Sequence, residues 1–204
     1  MCQLNDEWCR YGLLAYGVAY FMLAVVWRSF MVYRRTGVNP IVLPSSDDAY
    51  GFVGRAFRFV VFGCAVVVSI IAFAGQAPVW LGAYEVLQSR AVSSAGWLLL
   101  CVPLPWLLVA QAQMGASWRI GIDSQRHTEL VARGLFTVSR NPIYLALRLN
   151  LLGLFFVFPA AATLALLVAG EILVQVQVRL EEQHLSQLHG RSYASYCSRV
   201  RRWL

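Results

Sequence analysis

The chain has 204 residues, 59% of them hydrophobic and 13% charged, with a mean hydropathy of +0.59. A soluble domain of this length needs far more charge to cover its surface, so the composition excludes one and indicates a single integral-membrane domain. The formal net charge is +7, and all 17 basic residues are arginines, which suit lipid headgroups and phosphate or carboxylate pairing. No nucleic-acid partner is expected. The five cysteines form neither a CxxC pair nor a Cys/His ligand set, so neither a metal site nor a disulfide framework is expected. An acidic pair, Asp6 and Glu7, stands where a cleaved signal would be basic, so the first apolar run is read as an anchor.

In chain order, apolar runs predict about five transmembrane helices: 11–32, 57–74, 94–113, 143–158 and 160–178. Only Pro159 separates the last two, which predicts a tight helical hairpin with the proline in the first turn of its second helix. Helices 1–3 occupy residues 1–113, and residues 114–204 form the core expected to carry function. The tail, 180–204, has a helix-compatible pattern and is expected to lie along the membrane face over 130–144. The fold class is thus all-α and polytopic, with a C-terminal helix on the cytoplasmic side. Arg34, Arg35, Arg55, Arg58, Arg119, Arg126, Arg133, Arg140 and the tail arginines fall on one side, against Asp6, Glu7, Arg10, Glu85 and Arg90 on the other. The positive-inside rule then predicts an N-terminus outside and a C-terminus in the cytoplasm.

Two polar clusters flank the hairpin. The first is LVARGLFTVSRNPIY, Leu130 to Tyr144. Gly134 permits a close chain reversal, and Asn141-Pro142 favours an extended residue followed by a helix start. Unpaired N–H groups there, with Arg140 beside them, would suit a carboxylate; a capped helix with an interfacial Tyr144 is the plainer alternative. The second cluster, RLEEQHLSQLHGRSYASY, places Glu181 and Glu182 at a helix end where acids are disfavoured. They imply a cationic partner, either Arg140, Arg148 or a ligand, or else a solvated pair. Arg148 and Glu171 lie within apolar runs at similar offsets from Pro159, so they could pair across the hairpin or contact a substrate. No phosphate-binding loop, GxGxxG, GxSxG or HExxH is present.

LVxxGxFxxxRNPIY, an apolar hairpin and then EExxLxxxxGxxYxxY resemble the isoprenylcysteine carboxyl methyltransferase and phospholipid methyltransferase superfamily, in its bacterial branch. The resemblance covers about the last ninety residues, from MGASWRIGI (Met114 to Ile122) onward. It implies a bacterial inner-membrane enzyme that binds S-adenosylmethionine in a cytoplasm-facing pocket and methylates a lipophilic acceptor arriving from the bilayer. By that resemblance Leu130, Val131, Phe136, Arg140, Asn141, Pro142, Tyr144, Glu181, Glu182, Tyr193 and Tyr196 would bind the cofactor. Glu181, Arg179 and Arg148 are the candidates for the catalytic centre, with Arg148, Glu171 and Arg179 orienting the acceptor. Two positions depart from the pattern. Asn141 replaces the usual His, which removes proton handling but keeps a hydrogen-bonding amide. Gln177 stands where isoprenylcysteine enzymes carry an Arg for the substrate carboxylate, and Arg179 is the candidate replacement. A membrane reductase of the steroid-reductase type using NADPH, and a non-catalytic membrane subunit of the same fold, are the rival expectations.

Overall fold

The structure is a computed structural model, and it describes residues 7–42, 47–74, 81–121 and 129–204. Asp6, Ile122 and Arg126, used above for orientation and for the extent of the resemblance, lie outside the described residues. Among the described residues the protein is all-α, with two isolated β-bridges, Ile41 with Ile120 and Ala83 with Ala160.

A long first rod is built from α1 (Glu7–Phe21), a π-helical stretch (Met22–Trp27) and α2 (Arg28–Thr36). The wider π turn has an external partner: Gln111 Nε2 donates to the Ala24 carbonyl at 2.9 Å. Helix α3 (Ala49–Phe73) is capped by Asp48, whose side chain accepts from Gly51 N at 2.8 Å. It starts earlier than the apolar run suggested, so Arg55 and Arg58 lie within its first turns. Helices α4 (Arg90–Cys101) and α5 (Pro103–Met114) continue one another across Val102, where Pro103 and Pro105 interrupt the ladder. The hairpin consists of α6 (Pro142–Val157) and α7 (Ala161–His189), and α8 (Arg191–Arg199) follows after Gly190.

Among the described residues, four helices are long and apolar enough to cross a membrane: Glu7–Thr36, Ala49–Phe73, Arg90–Ser117 and Ala161–His189. Phe59, Phe62 and Phe73 stand exposed on α3, as suits a lipid-facing surface. The fifth expected span, α6, is shorter. Its 16 residues rise about 24 Å, less than the roughly 30 Å of a hydrocarbon core. Helix α7 runs 29 residues, about 43 Å, so it overshoots α6 by several turns at the end away from the hairpin tip. It had been expected to stop near Val178. Instead the polar RLEEQHLSQLH segment continues the helix, because Leu, Glu, Gln and Arg are all good helix formers.

The hairpin tip is held by the segment before α4. Ala161 N donates to Gly82 O and Tyr84 N to Pro159 O, each at 2.8 Å. Pro159 lies outside the helix, with Ala160 as the cap of α7. Helix α6 packs against α4, α5 and α7. Gly96 and Gly153 allow the closest approach: a Cβ on Gly96 would lie 2.6 Å from Val157 N, and one on Gly153 2.9 Å from Leu99 C. The main core cluster gathers Leu13, Val67, Ile71, Leu81, Leu100, Leu154 and Phe158 near the tip. Tyr16 donates to Asn150 Oδ1, joining α1 to α6 inside the bundle. Cys9 is disulfide-bonded, contrary to the expectation of no disulfide, while Cys64, Cys101 and Cys197 are free. Apolar stacking thus concentrates at the tip and leaves polar chemistry at the other end, where α6 begins and α7 runs on.

Candidate functional site

Local sequence builds this end from four pieces. Helix α5 stops at Met114 because Gly115 takes a φ of +57°, and the chain turns through Gly115–Ser117. After the undescribed segment it returns as Leu130 to Arg133 and a 3₁₀ turn, Gly134–Thr137. Gln113 Oε1 accepts from Leu135 N at 2.7 Å and pins that turn to the end of α5. Gly134 has a φ of +60°, and a Cβ there would fall 2.3 Å from the Gln113 side chain. Only glycine satisfies both demands. Pro142 then opens α6 as N1; Asn141, expected to be extended, takes φ −130° and ψ 53° instead, between the extended and helical regions.

The tail closes over this turn. Tyr193 and Tyr196 on α8 are buried with Val200, packed on Leu130 and Leu185. Tyr196 OH donates to Phe136 O at 2.6 Å, and Arg140 N donates to Arg201 O at 2.9 Å. Burial pushes the Tyr196 phenol up to about 12, and burial with Glu182 nearby raises Tyr193 as well, so both remain protonated donors at neutral pH.

The two glutamates of the EE pair divide. Glu182 is fully engaged: Arg202 Nη2 donates to its Oε2 at 2.8 Å, Arg202 Nε reaches both oxygens, and Arg140 Nη2 lies 3.3 Å from Oε1. Hydrogen bonding to Glu182 holds the Arg202 guanidinium above its ordinary range. Asn141 Nδ2 adds bonds to Glu182 Oε1 at 3.3 Å and to Arg202 O at 3.2 Å. Glu181 pairs with no cation among the described residues. Its Oε2 accepts from Tyr144 OH at 2.9 Å, and Oε1 accepts no hydrogen bond among the described residues. Gln177, one turn before it, lies beside the Tyr144 hydroxyl.

These pieces surround a pocket. Leu130, Val131, Phe136, Arg140, Asn141, Glu181, Tyr193 and Tyr196 from the expected cofactor set all line it. Pro142, Tyr144 and Glu182 stand behind the lining, fixing Asn141, Glu181 and Arg140 respectively. The lining also includes Met114, Ser117, Arg119, Gly121, Glu129, His184 and Leu185, which were not singled out as site residues. His184 and Leu185 were findable, being three and four residues beyond Glu181 and so on its helix face. Of the others, Met114 ends α5, and the rest come from irregular segments whose approach no periodicity encodes.

Arg148 and Arg179 are not in this lining. Arg148 Nε donates to Glu171 Oε2 at 2.7 Å across the hairpin, and its guanidinium sits 4.3 Å from the Trp203 ring centre. Arg179 is tied to Gln175 through that residue's carbonyl and side-chain oxygens, at 2.7 and 2.8 Å. No cluster of three metal-ligating side chains exists among the described residues.

Fold and site together define an all-α polytopic membrane protein with a polar pocket at the open end of a helical hairpin, sealed by its own tail. Residues 92–192 match the phospholipid methyltransferase family, which lies within the superfamily that the paired motifs resemble. The match runs from α4 into α8, reaching further back than the Met114 start suggested by motifs. No curated protein matches the chain.

Proposed function

We propose that this protein is an S-adenosylmethionine-dependent methyltransferase that acts on a lipophilic acceptor, either an isoprenylcysteine-like carboxylate or a phospholipid amine. The observation that carries the reading is Glu181, a carboxylate with one oxygen unengaged among the described residues, in the wall of a pocket made by the superfamily's paired motifs. The donor set fits the cofactor's three parts. Glu181 and Arg140 have the charges to meet an ammonium and a carboxylate. Leu130, Val131, Phe136 and Leu185 offer apolar area for an adenine. Asn141 Oδ1, which accepts no hydrogen bond among the described residues, is an acceptor for a hydroxyl or amino group.

The cofactor, when bound, supplies a methyl group already activated on a sulfonium. The protein's own contribution is positional. Tyr144 fixes one oxygen of Glu181, Glu182 and Arg202 fix Arg140 and Asn141, and Tyr193 and Tyr196 cover the pocket against water. The pocket lies at the end of α6 away from the hairpin tip, where a lipid headgroup would reach it. The orientation that follows has the N-terminus outside and the C-terminus in the cytoplasm of a bacterial inner membrane. A disulfide at Cys9 suits an oxidising side for the start of α1.

The test is methyl transfer from labelled cofactor into a total membrane lipid extract, with products analysed by mass. A labelled lipid is expected, along with a rise in melting temperature on adding the cofactor. Neither effect, together with thermal stabilisation by NADPH, would replace this reading with a reductase. No effect from either compound would leave a non-catalytic subunit.

A further inference from the structure

Arg148 stands six residues beyond Pro142, about 9 Å along α6, in a helix whose other polar side chains are those of Tyr144 and Asn150. Its side chain is 28% exposed, and that of Glu171 is 36% exposed. A half-exposed ion pair on an apolar hairpin requires that every polar atom find a partner, since lipid supplies none. Glu171 meets the requirement: Oε2 accepts from Arg148, and Oε1 accepts from Gln175 Nε2 at 2.8 Å. Arg148 does not. Its two terminal nitrogens donate to nothing among the described residues, while Nε is held by Glu171 and one face is covered by Trp203.

Snorkelling toward the surface is the usual escape for such a side chain. Here the bond to Glu171 and the Trp203 ring hold the guanidinium in place. Both carboxylate oxygens are engaged, while the terminal nitrogens of the cation donate to nothing among the described residues, so the unmet donors call for an anion. The site also adjoins the pocket: Tyr144 lies one turn before Arg148 on the same face of α6 and bonds the pocket carboxylate Glu181.

We infer that Arg148, braced by Glu171 and Trp203, binds the oxyanion, phosphate or carboxylate, of a lipid headgroup and so holds the acceptor beside the pocket. The inference rests on the methyltransferase reading for its purpose, and on the geometry of Arg148 for its chemistry. Planar terminal N–H groups suit two-point binding of such an oxyanion. Trp203 reaches Arg148 from the tail, whose Arg201 and Arg202 are pinned to the Arg140–Asn141 turn and to Glu182, so the same tail borders both sites.

The experiment uses the full chain in detergent and reads the Trp203-dependent part of the fluorescence, obtained by difference from Trp203→Phe. The probes are dioleoylphosphatidic acid, N-oleoylglycine, dioleoylglycerol and inorganic phosphate. Saturable responses to at least one lipid anion and none to dioleoylglycerol are expected. Arg148→Gln combined with Glu171→Gln, which leaves no unpaired charge, should weaken the lipid anion at least about tenfold. Should that double variant fold poorly, Arg148→Lys keeps the ion pair but loses the planar fork, and several-fold weakening is expected. Arg199→Gln, an exposed tail arginine whose Nε donates to Ser195 O, should change affinity less than about twofold.

Unchanged affinity in the Arg148 variants, or an equal response to dioleoylglycerol, would overturn the inference. So would saturation by inorganic phosphate alone at the same concentration, which would mark a soluble-anion site. Calorimetry with S-adenosylmethionine on the same preparations separates the two readings. Loss of that binding in the wild type defeats the proposed function without touching the anion response.

Discussion

Tyr144 donates its hydroxyl proton to Glu181 Oε2 at 2.9 Å, bridging the first turn of α6 and the polar extension of α7. The bond leaves the second carboxylate oxygen as an acceptor in the pocket wall. A charge-assisted bond of this kind contributes about 1.5–3 kcal/mol, and an ammonium or hydroxyl on Oε1 adds another. Glu181→Ala is therefore expected to abolish measurable cofactor binding by calorimetry. Tyr144→Phe keeps the charge and loses one orienting bond, so affinity should drop by about ten-fold or less. Cofactor affinity unchanged in Glu181→Ala would remove the central claim.

Glu182 has a different part. It accepts from Arg202 and Asn141 and pairs with Arg140, so Glu182→Ala strands two guanidinium groups and frees the tail. Both Glu182 and Arg140 keep 14% side-chain exposure and Arg202 keeps 35%, so solvent screening reduces the loss to about 1–3 kcal/mol. A lower melting temperature in detergent is expected, with cofactor affinity reduced less than in Glu181→Ala. A larger affinity loss in Glu182→Ala would reverse the division between the two glutamates.

Gly134→Ala meets both a left-handed backbone and the Gln113 side chain, at 2.3 Å from the new Cβ. A loss of about 1–3 kcal/mol is expected. Adding Gln113→Ala relieves the clash but leaves the φ penalty and removes the Leu135 tether. The double variant should stay well below the wild type in thermal denaturation; full recovery would show that the turn tolerates a side chain.

Tyr196 supplies a pH dependence whose sign follows from its raised value. The folded protein favours the neutral phenol, from 10.0 up to about 12, because burial penalises the phenolate. The stabilisation from its bond to Phe136 O is thus intact below about pH 10 and lost as pH climbs through about 12. Subtracting the Tyr196→Phe titration at the phenolate absorbance band should isolate a late-ionising tyrosine. A difference curve centred near the ordinary value would show that the tail does not cover the pocket.

Much of this was legible in the residues because the membrane imposes simple rules. Apolar run lengths gave the order of helices, Pro159 marked the hairpin, and the spacing of Asn141-Pro142, Tyr144 and Glu181 marked the motif pair. Helix ends were less legible. Val178 looked like the end of α7 because hydropathy drops there, yet hydrogen bonding continues as long as residues favour helix. The 16-residue α6 looked like a full span because its composition is apolar, while its length is set by Pro142 and the tip.

Sequence alone determined that this is an all-α membrane protein carrying the paired motifs of a methyltransferase superfamily, because composition and motif spacing survive any packing. Only the tertiary structure decided which of two adjacent glutamates borders the pocket. Neighbours on a helix point about 100° apart, so one meets Tyr144 while the other meets Arg140 and Arg202. It also decided that Arg148 pairs with Glu171 on a separate part of the hairpin, with its terminal nitrogens unmet among the described residues, because that depends on how two antiparallel helices and a tail come together in space.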